Sequence, residues 1–130
     1  MNERQLKFRA WDTESQTMHN VYELRFKNDT YTGYLFVEGV AVYRDKIIPM
    51  QFIGLVDTEG EMIYEGDIVT SEVSENVGGV IEYCIPNACF LVREKSGLLI
   101  PIDVKDGTNQ MKQTRVEGNV YEHKISDIIQ

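Results

Sequence analysis

The sequence predicts a mainly β protein, β-rich α+β in class with at most short helices, and three observations carry that expectation. Apolar residues fall in short runs rich in Val, Ile, Tyr and Phe, too brief for ordinary helices and suited to a pleated surface. Turn formers such as Asn28-Asp29, Glu38-Gly39, Asp57-Thr58-Glu59-Gly60, Glu65-Gly66-Asp67 and Pro86-Asn87 punctuate these runs. From Tyr64 to Tyr121 the punctuation recurs roughly every 8 to 12 residues around some five short strands, the cadence of a small barrel or sandwich.

Leu6 to Trp11 alternates with a period of two. Leu6, Phe8 and Ala10 share one face and Lys7, Arg9 and Trp11 the other, as in a half-buried strand. Asp12 to Thr17 is a polar turn, and Met18 to Phe26 returns, so the opening predicts a β-hairpin. Trp11, on the charged face, is expected to be partly buried. Tyr31 to Val37 and Val40 to Tyr43 read as two further strands. A short helix from Tyr43 to Ile47, stopped before Pro49, is an open alternative.

The chain is organised around Met50 to Val69. Met50 to Val56 is a strand, followed by a turn in which the Asp57 carboxylate accepts a backbone N–H two residues on and Gly60 takes positive φ. Met62-Ile63-Tyr64 resumes the apolar pattern, Glu65-Gly66-Asp67 turns tightly, and Ile68 to Val73 continues extended. Ser74 to Gly79 reads as a flexible loop on account of its paired glycines. Val80 to Ile85 and Cys89 to Arg93 form strands about the Pro86-Asn87 turn, with Asn87 as the residue suited to the left-handed region. Leu98 to Val104 carries Pro101, which cannot donate to a ladder, so it belongs at a sheet edge. A polar connector leads to a last strand within Thr114 to Glu122, and Ile125 to Ile129 reads as one helical turn or a docking tail.

These residues carry a resemblance. Phe8, Arg9, Trp11 and Asp12 near the start, then Gln51, Gly54, Leu55, Asp57, Gly60, Ile63, Tyr64, Glu65, Gly66 and Asp67, then Gly79-Val80-Ile81, and finally Gly118, Asn119 and Tyr121 resemble, in order, the signature of the YopX-like family of phage and prophage proteins. Two positions depart from it: Ile53 stands where Thr is usual, and His123-Lys124-Ile125-Ser126 replaces an Asn-Pro-Glu-Leu ending. Gly66-Asp67 before a strand, then a long loop and Gly-x-Val, is similar to SH3-like barrels, and the family resemblance implies such a barrel in the C-terminal half. The expected organisation is residues 1–49 as a hairpin extension and 50–130 as signature plus barrel, or one continuous domain. The family resemblance brings no settled activity.

Composition narrows the function. The net charge of −8 is unevenly placed: residues 1–50 hold seven basic and seven acidic side chains, and 51–130 hold six and fourteen. An acidic surface opposes nonspecific binding to phosphate backbones and anionic membranes. No apolar run approaches the roughly 20 residues that cross a bilayer, and Met1 to Gln5 leads into a strand rather than a signal peptide, so a cytoplasmic protein of a bacterial host is expected.

Cys84 and Cys89, the only cysteines, are expected as buried, inert thiols facing each other across a hairpin, because His19 and His123 lack zinc-type spacing. The carboxylates Asp57, Glu59, Glu61, Glu65 and Asp67 fail the spacing of a calcium loop and read as turn formers. Gly78-Gly79 lacks the Lys-Ser/Thr of a P-loop, and Gly-x-Ser-x-Gly is absent. The expectation is therefore a protein that is not an enzyme and uses no cofactor or metal, a binding or self-associating β module whose partner is a second copy or a phage or host protein. The alternative is nucleic-acid association through Lys7, Arg9 and Trp11, or its inverse, an acidic competitor of a DNA-binding protein.

Overall fold

The computed structural model describes residues 5–74 and 77–129. The leading Met1 to Arg4, Glu75-Asn76 of the expected loop, and Gln130 lie outside the described residues. Two compact units share the chain, Glu3–Gln51 and Phe52–Gln130.

The first unit contains β1 (Phe8–Asp12), β2 (Thr17–Lys27), β3 (Thr30–Val37), β4 (Val40–Arg44) and the start of β5 (Ile47–Val56). Every pairing is antiparallel, in the order β4-β3-β2-β1-β5. The opening hairpin forms as the alternation predicts, with Trp11 opposite Met18, and Trp11 is half-buried. The β3–β4 hairpin closes on Glu38 (φ 51°) and Gly39 (φ 81°), two positive-φ residues whose twist matches that of the strands they join. Ala10, Leu35 and Ile47 form the core, with Val21, Leu24 and Val37 packed against it.

The short helix from Tyr43 to Ile47 does not form. Tyr43 and Arg44 continue the ladder onto Tyr34 and Gly33, and Ile47 already opens β5 opposite Asp12. A helical turn there would have to nucleate at the expense of these ladder bonds.

In the second unit the end of β5 pairs with β6 (Met62–Tyr64), Phe52 opposite Tyr64 and Val56 opposite Met62. Then come β7 (Asp67–Ser71), β8 (Gly78–Cys84), β9 (Cys89–Glu94), β10 (Leu99–Pro101), β11 (Thr114–Asn119) and α1 (Ile125–Ile128). Five of these strands make one antiparallel sheet, β10-β9-β8-β7-β11, around Ile63, Val69, Ile81, Val92 and Met111. Pro101 stands on the edge strand, as its missing donor requires. The ends of the sheet, β10 and β11, do not pair with each other among the described residues, so the sheet is not closed into a barrel by hydrogen bonds.

Two expectations are corrected. Gly78 and Gly79 belong to β8 rather than to a loop, because a β-carbon at Gly78 would strike the Val69 carbonyl oxygen of β7 and one at Gly79 the Arg93 carbonyl oxygen of β9. These glycines admit close backbone approach, not flexibility. At the β8–β9 turn the left-handed residue is Ala88 (φ 52°), not Asn87, and the Ala88 N–H donates to the Ile85 carbonyl at 3.1 Å. The last place in that four-residue loop demands the conformation whatever side chain occupies it. No described helix is long and apolar enough to cross a membrane.

Candidate interaction surface

Several signature residues act on the backbone. Asp57 is 1% exposed, and its Oδ1 accepts the N–H groups of Glu59 (2.9 Å) and Glu61 (2.8 Å) while Oδ2 accepts that of Val116 in β11 (3.0 Å). The predicted bond two residues on is therefore one of three. Gly60 takes φ 85° and donates its N–H to the Asp57 carbonyl. Asp67 Oδ2 accepts the Tyr64 N–H at 2.8 Å across the turn that Gly66 (φ 84°) permits. Among the described residues, no group of three or more His, Cys, Asp or Glu side chains has metal-binding geometry.

Near the C-terminus, Asn119 Oδ1 accepts the N–H groups of Tyr121 and Glu122, both at 3.0 Å, and its Nδ2 donates to Glu122 Oε1 at 2.8 Å. The Asn119 N–H donates to His123 Nδ1 at 3.2 Å, and that ring occupies the space a β-carbon on Gly118 would need. His123, a departure from the family ending, thus closes the turn with its own imidazole. Ile53, the other departure, packs with Leu55 against the apolar core, which accommodates an aliphatic side chain there.

In the first unit Asp12, 1% exposed, gathers the Glu14 N–H (3.1 Å), Ser15 Oγ (2.7 Å) and Arg44 Nε (2.7 Å). Burial pushes this carboxyl up, but the bonds from Ser15, Arg44 and Glu14, with the charge of Arg44, outweigh it and hold the group below the usual carboxylate range. Phe8 and Gln51 are half-buried; Gln51, Tyr64, Glu65 and Tyr121 all make contacts within the chain.

Lys7, just before β1, and Arg9 and Trp11 within it occupy alternate positions of a strand paired on both sides, by β2 and β5, and all three are half-buried and engaged within the chain. Stacking of nucleic-acid bases needs an open aromatic face. Cys84 and Cys89 are cross-strand partners, as the hairpin predicts, yet neither is buried: Cys84 is half-buried and Cys89 exposed. They lie at the tip of the β8–β9 hairpin, beyond the contact of Tyr83 with Phe90, where the core no longer reaches. An apolar cavity of about 170 Å³ in the second unit is lined by residues including Val69, Val92, Ile100 and Met111; of its charged lining residues Glu94, Asp103 and Lys112, the last two pair with each other at 3.8 Å.

The feature that sequence reasoning missed lies on β2, β3 and β4. Tyr22 meets Phe36 edge-to-face with centroids 5.3 Å apart, Tyr34 meets Tyr43 at 5.5 Å, and the Arg25 guanidinium lies 5.4 Å from the Tyr34 ring centre. Arg25 is also bonded to Glu23 at 2.6 Å. Tyr22 is 62% exposed, and Phe36 and Tyr43 are exposed too. These contacts place an aromatic ladder on the face opposite Leu35, beside β4, which ends the sheet. A signal was present in the sequence: Tyr34 and Phe36 alternate with Leu35, so one face of β3 had to be aromatic wherever Leu35 was core.

The family described as YopX protein matches residues 7–124 of this chain. In structure, the chain resembles protein EF1440 from Enterococcus faecalis, known from a crystal structure, with a TM-score of 0.56 and 21% identity over 92% of this chain and 96% of that one. At that identity the likeness shows the fold. A search of curated proteins finds no match.

Proposed function

Since the chain belongs to the YopX protein family, we propose that it is a phage- or prophage-borne, cytoplasmic binding module, not an enzyme, which associates with itself or captures a phage or host protein. One observation carries this reading: an aromatic ladder stands in solvent beside a sheet edge with no partner strand among the described residues. Aromatic residues are enriched where proteins meet, and an open edge offers a row of backbone donors and acceptors. The disposition of the carboxylates agrees with it, since Asp12, Asp57 and Asp67 all hold backbone N–H groups.

On this reading the second unit is an SH3-like barrel with its seam between β10 and β11. In support, the segment between them folds back on itself where Val104 bridges Met111, and its Gln110 bridges Val56 of β5.

Light scattering on the purified protein, with an affinity-tagged pull-down from prophage-induced cells, tests the proposal. A mass above the monomer, or one partner recovered at fixed stoichiometry, is expected. A strict monomer that recovers no partner would refute it.

A further inference from the structure

We propose that Cys84 and Cys89 form a reversible dithiol site at the tip of the β8–β9 hairpin, which exchanges with low-molecular-weight disulfides and closes into a cross-strand disulfide. The binding-module reading does not enter this chemistry.

Placement comes from the ladder. Cys84 stands directly opposite Cys89 as the last pair of β8 and β9 before the turn. Directly opposed residues of an antiparallel pair have Cα atoms roughly 4.5 or 5.5 Å apart, according to their hydrogen-bonding class. Both separations lie inside the range of roughly 4.4–6.8 Å that a disulfide spans. Opposed residues also share a face, so the two thiols stand on the same side of the hairpin. Three residues away along each strand are Ile81 and Val92, themselves an opposed pair and both buried in the core. Three is odd, so the thiols occupy the face turned away from that core, and a bond between them leaves its packing alone.

Access and charge suit a small anionic disulfide. Cys89 is exposed and Cys84 half-buried. From Tyr83 to Val92 the hairpin carries no charged residue, and the flanking Glu82 and Arg93 neutralise each other at 2.7 Å. In a chain of net charge −8 the tip is therefore a locally neutral place, where a reagent bearing carboxylates meets little repulsion. Among the described residues no group of three or more potential metal ligands forms, and two thiolates fall short of the four ligands of a structural zinc site.

The exchange balances in two steps. Cys89 loses its proton and the thiolate attacks one sulfur of the small disulfide; a mixed disulfide forms, the small S–S bond breaks, and the first small thiolate leaves and takes up a proton. Cys84 then loses its proton and attacks Cys89 Sγ, so that the cross-strand bond forms and the second small thiolate leaves and is protonated in turn. Two electrons pass from the cysteines to the small disulfide. The closed ring encloses only Ile85 to Ala88 at a solvent-facing tip, and an exposed bond of this kind is readily reduced again.

Glutathione disulfide is the probe. Added at neutral pH to the full reduced chain, it should consume both thiols and lower the mass by two hydrogen atoms, with no covalent dimer on non-reducing denaturing electrophoresis. A large excess of reduced glutathione should restore both thiols. Cys84→Ser should stop at the mixed disulfide on Cys89, and Cys89→Ser should react roughly tenfold more slowly than Cys84→Ser, since its remaining thiol is half-buried. A wild type that keeps its thiols, stops at glutathione adducts, forms only covalent dimers or resists reduced glutathione would overturn the site. Equal rates for the two variants would overturn Cys89 as the point of attack. None of these results depends on whether the pull-down recovers a partner.

Discussion

The Asp57 carboxylate reaches 59 residues along the chain to accept the N–H of Val116 at 3.0 Å, joining the turn after β5 to the middle of β11. Its other oxygen holds two N–H groups of its own turn, so one side chain fixes both a local and a long-range feature.

Asp57→Ala should be among the most destabilising single changes in the second unit. Three backbone donors lose a charged acceptor, and at about 1–3 kcal/mol for each buried donor left unmade, a total of about 3 kcal/mol survives partial rescue by water at the turn. Asp57→Asn keeps the shape but presents an NH₂ to one of the donors, so it should cost about half as much. Urea unfolding of the three proteins gives the ranking; equal stability of wild type and Asp57→Ala would contradict it.

Acid should loosen the first unit through Asp12. Its folded carboxyl is held below the ordinary value of 3.8, so the stabilisation is fully present above that value and is lost as pH falls through the lower, folded one. Asp12→Asn should be less stable than wild type at pH 7, and the gap should narrow towards pH 2. Unfolding titrations across that range, repeated with Arg44→Ala, check the sign.

Two glycines should fail for different reasons when changed to alanine. At Gly79 the added carbon meets the Arg93 carbonyl and, at 2.9 Å, Val92 Cγ1, so β8 and β9 must separate at a cost of about 3 kcal/mol. At Gly60 nothing lies within 4 Å, and only the φ of +85° opposes the change, worth about 1 kcal/mol. Thermal melts should place Gly79→Ala well below Gly60→Ala.

The opposite sign is expected at Ala88. A non-glycine residue at φ 52° carries strain of about 1–2 kcal/mol, while glycine loses about 0.5–1 kcal/mol more entropy on folding. Ala88→Gly should therefore stabilise by about 0.5–1 kcal/mol, visible as a rise in melting temperature.

Much of the fold was legible locally. The opening hairpin, the Asp57 turn, the edge position of Pro101 and the five strands after Tyr64 followed from alternation, turn chemistry and proline's missing donor, and of the two readings of Ile125 to Ile129 the helical turn is the one that forms. Gly78-Gly79 was misread because a glycine pair looks the same whether it frees a loop or lets strands approach. The cysteines were placed opposite each other correctly but thought buried, since pairing follows from the turn whereas burial depends on how far the core extends.

By itself the amino-acid sequence determined which residues are extended, where the chain reverses, which family it belongs to, and that Asp57 would bond within its own turn. Only the tertiary structure decided that this carboxylate also holds Val116, that Arg44 turns from the β4 edge to Asp12, and that Tyr22, Phe36, Tyr34 and Tyr43 gather on one open face. The reason is range: turn and strand preferences act over a few neighbouring residues, whereas sheet order sets which distant side chains share a face and which edge meets solvent.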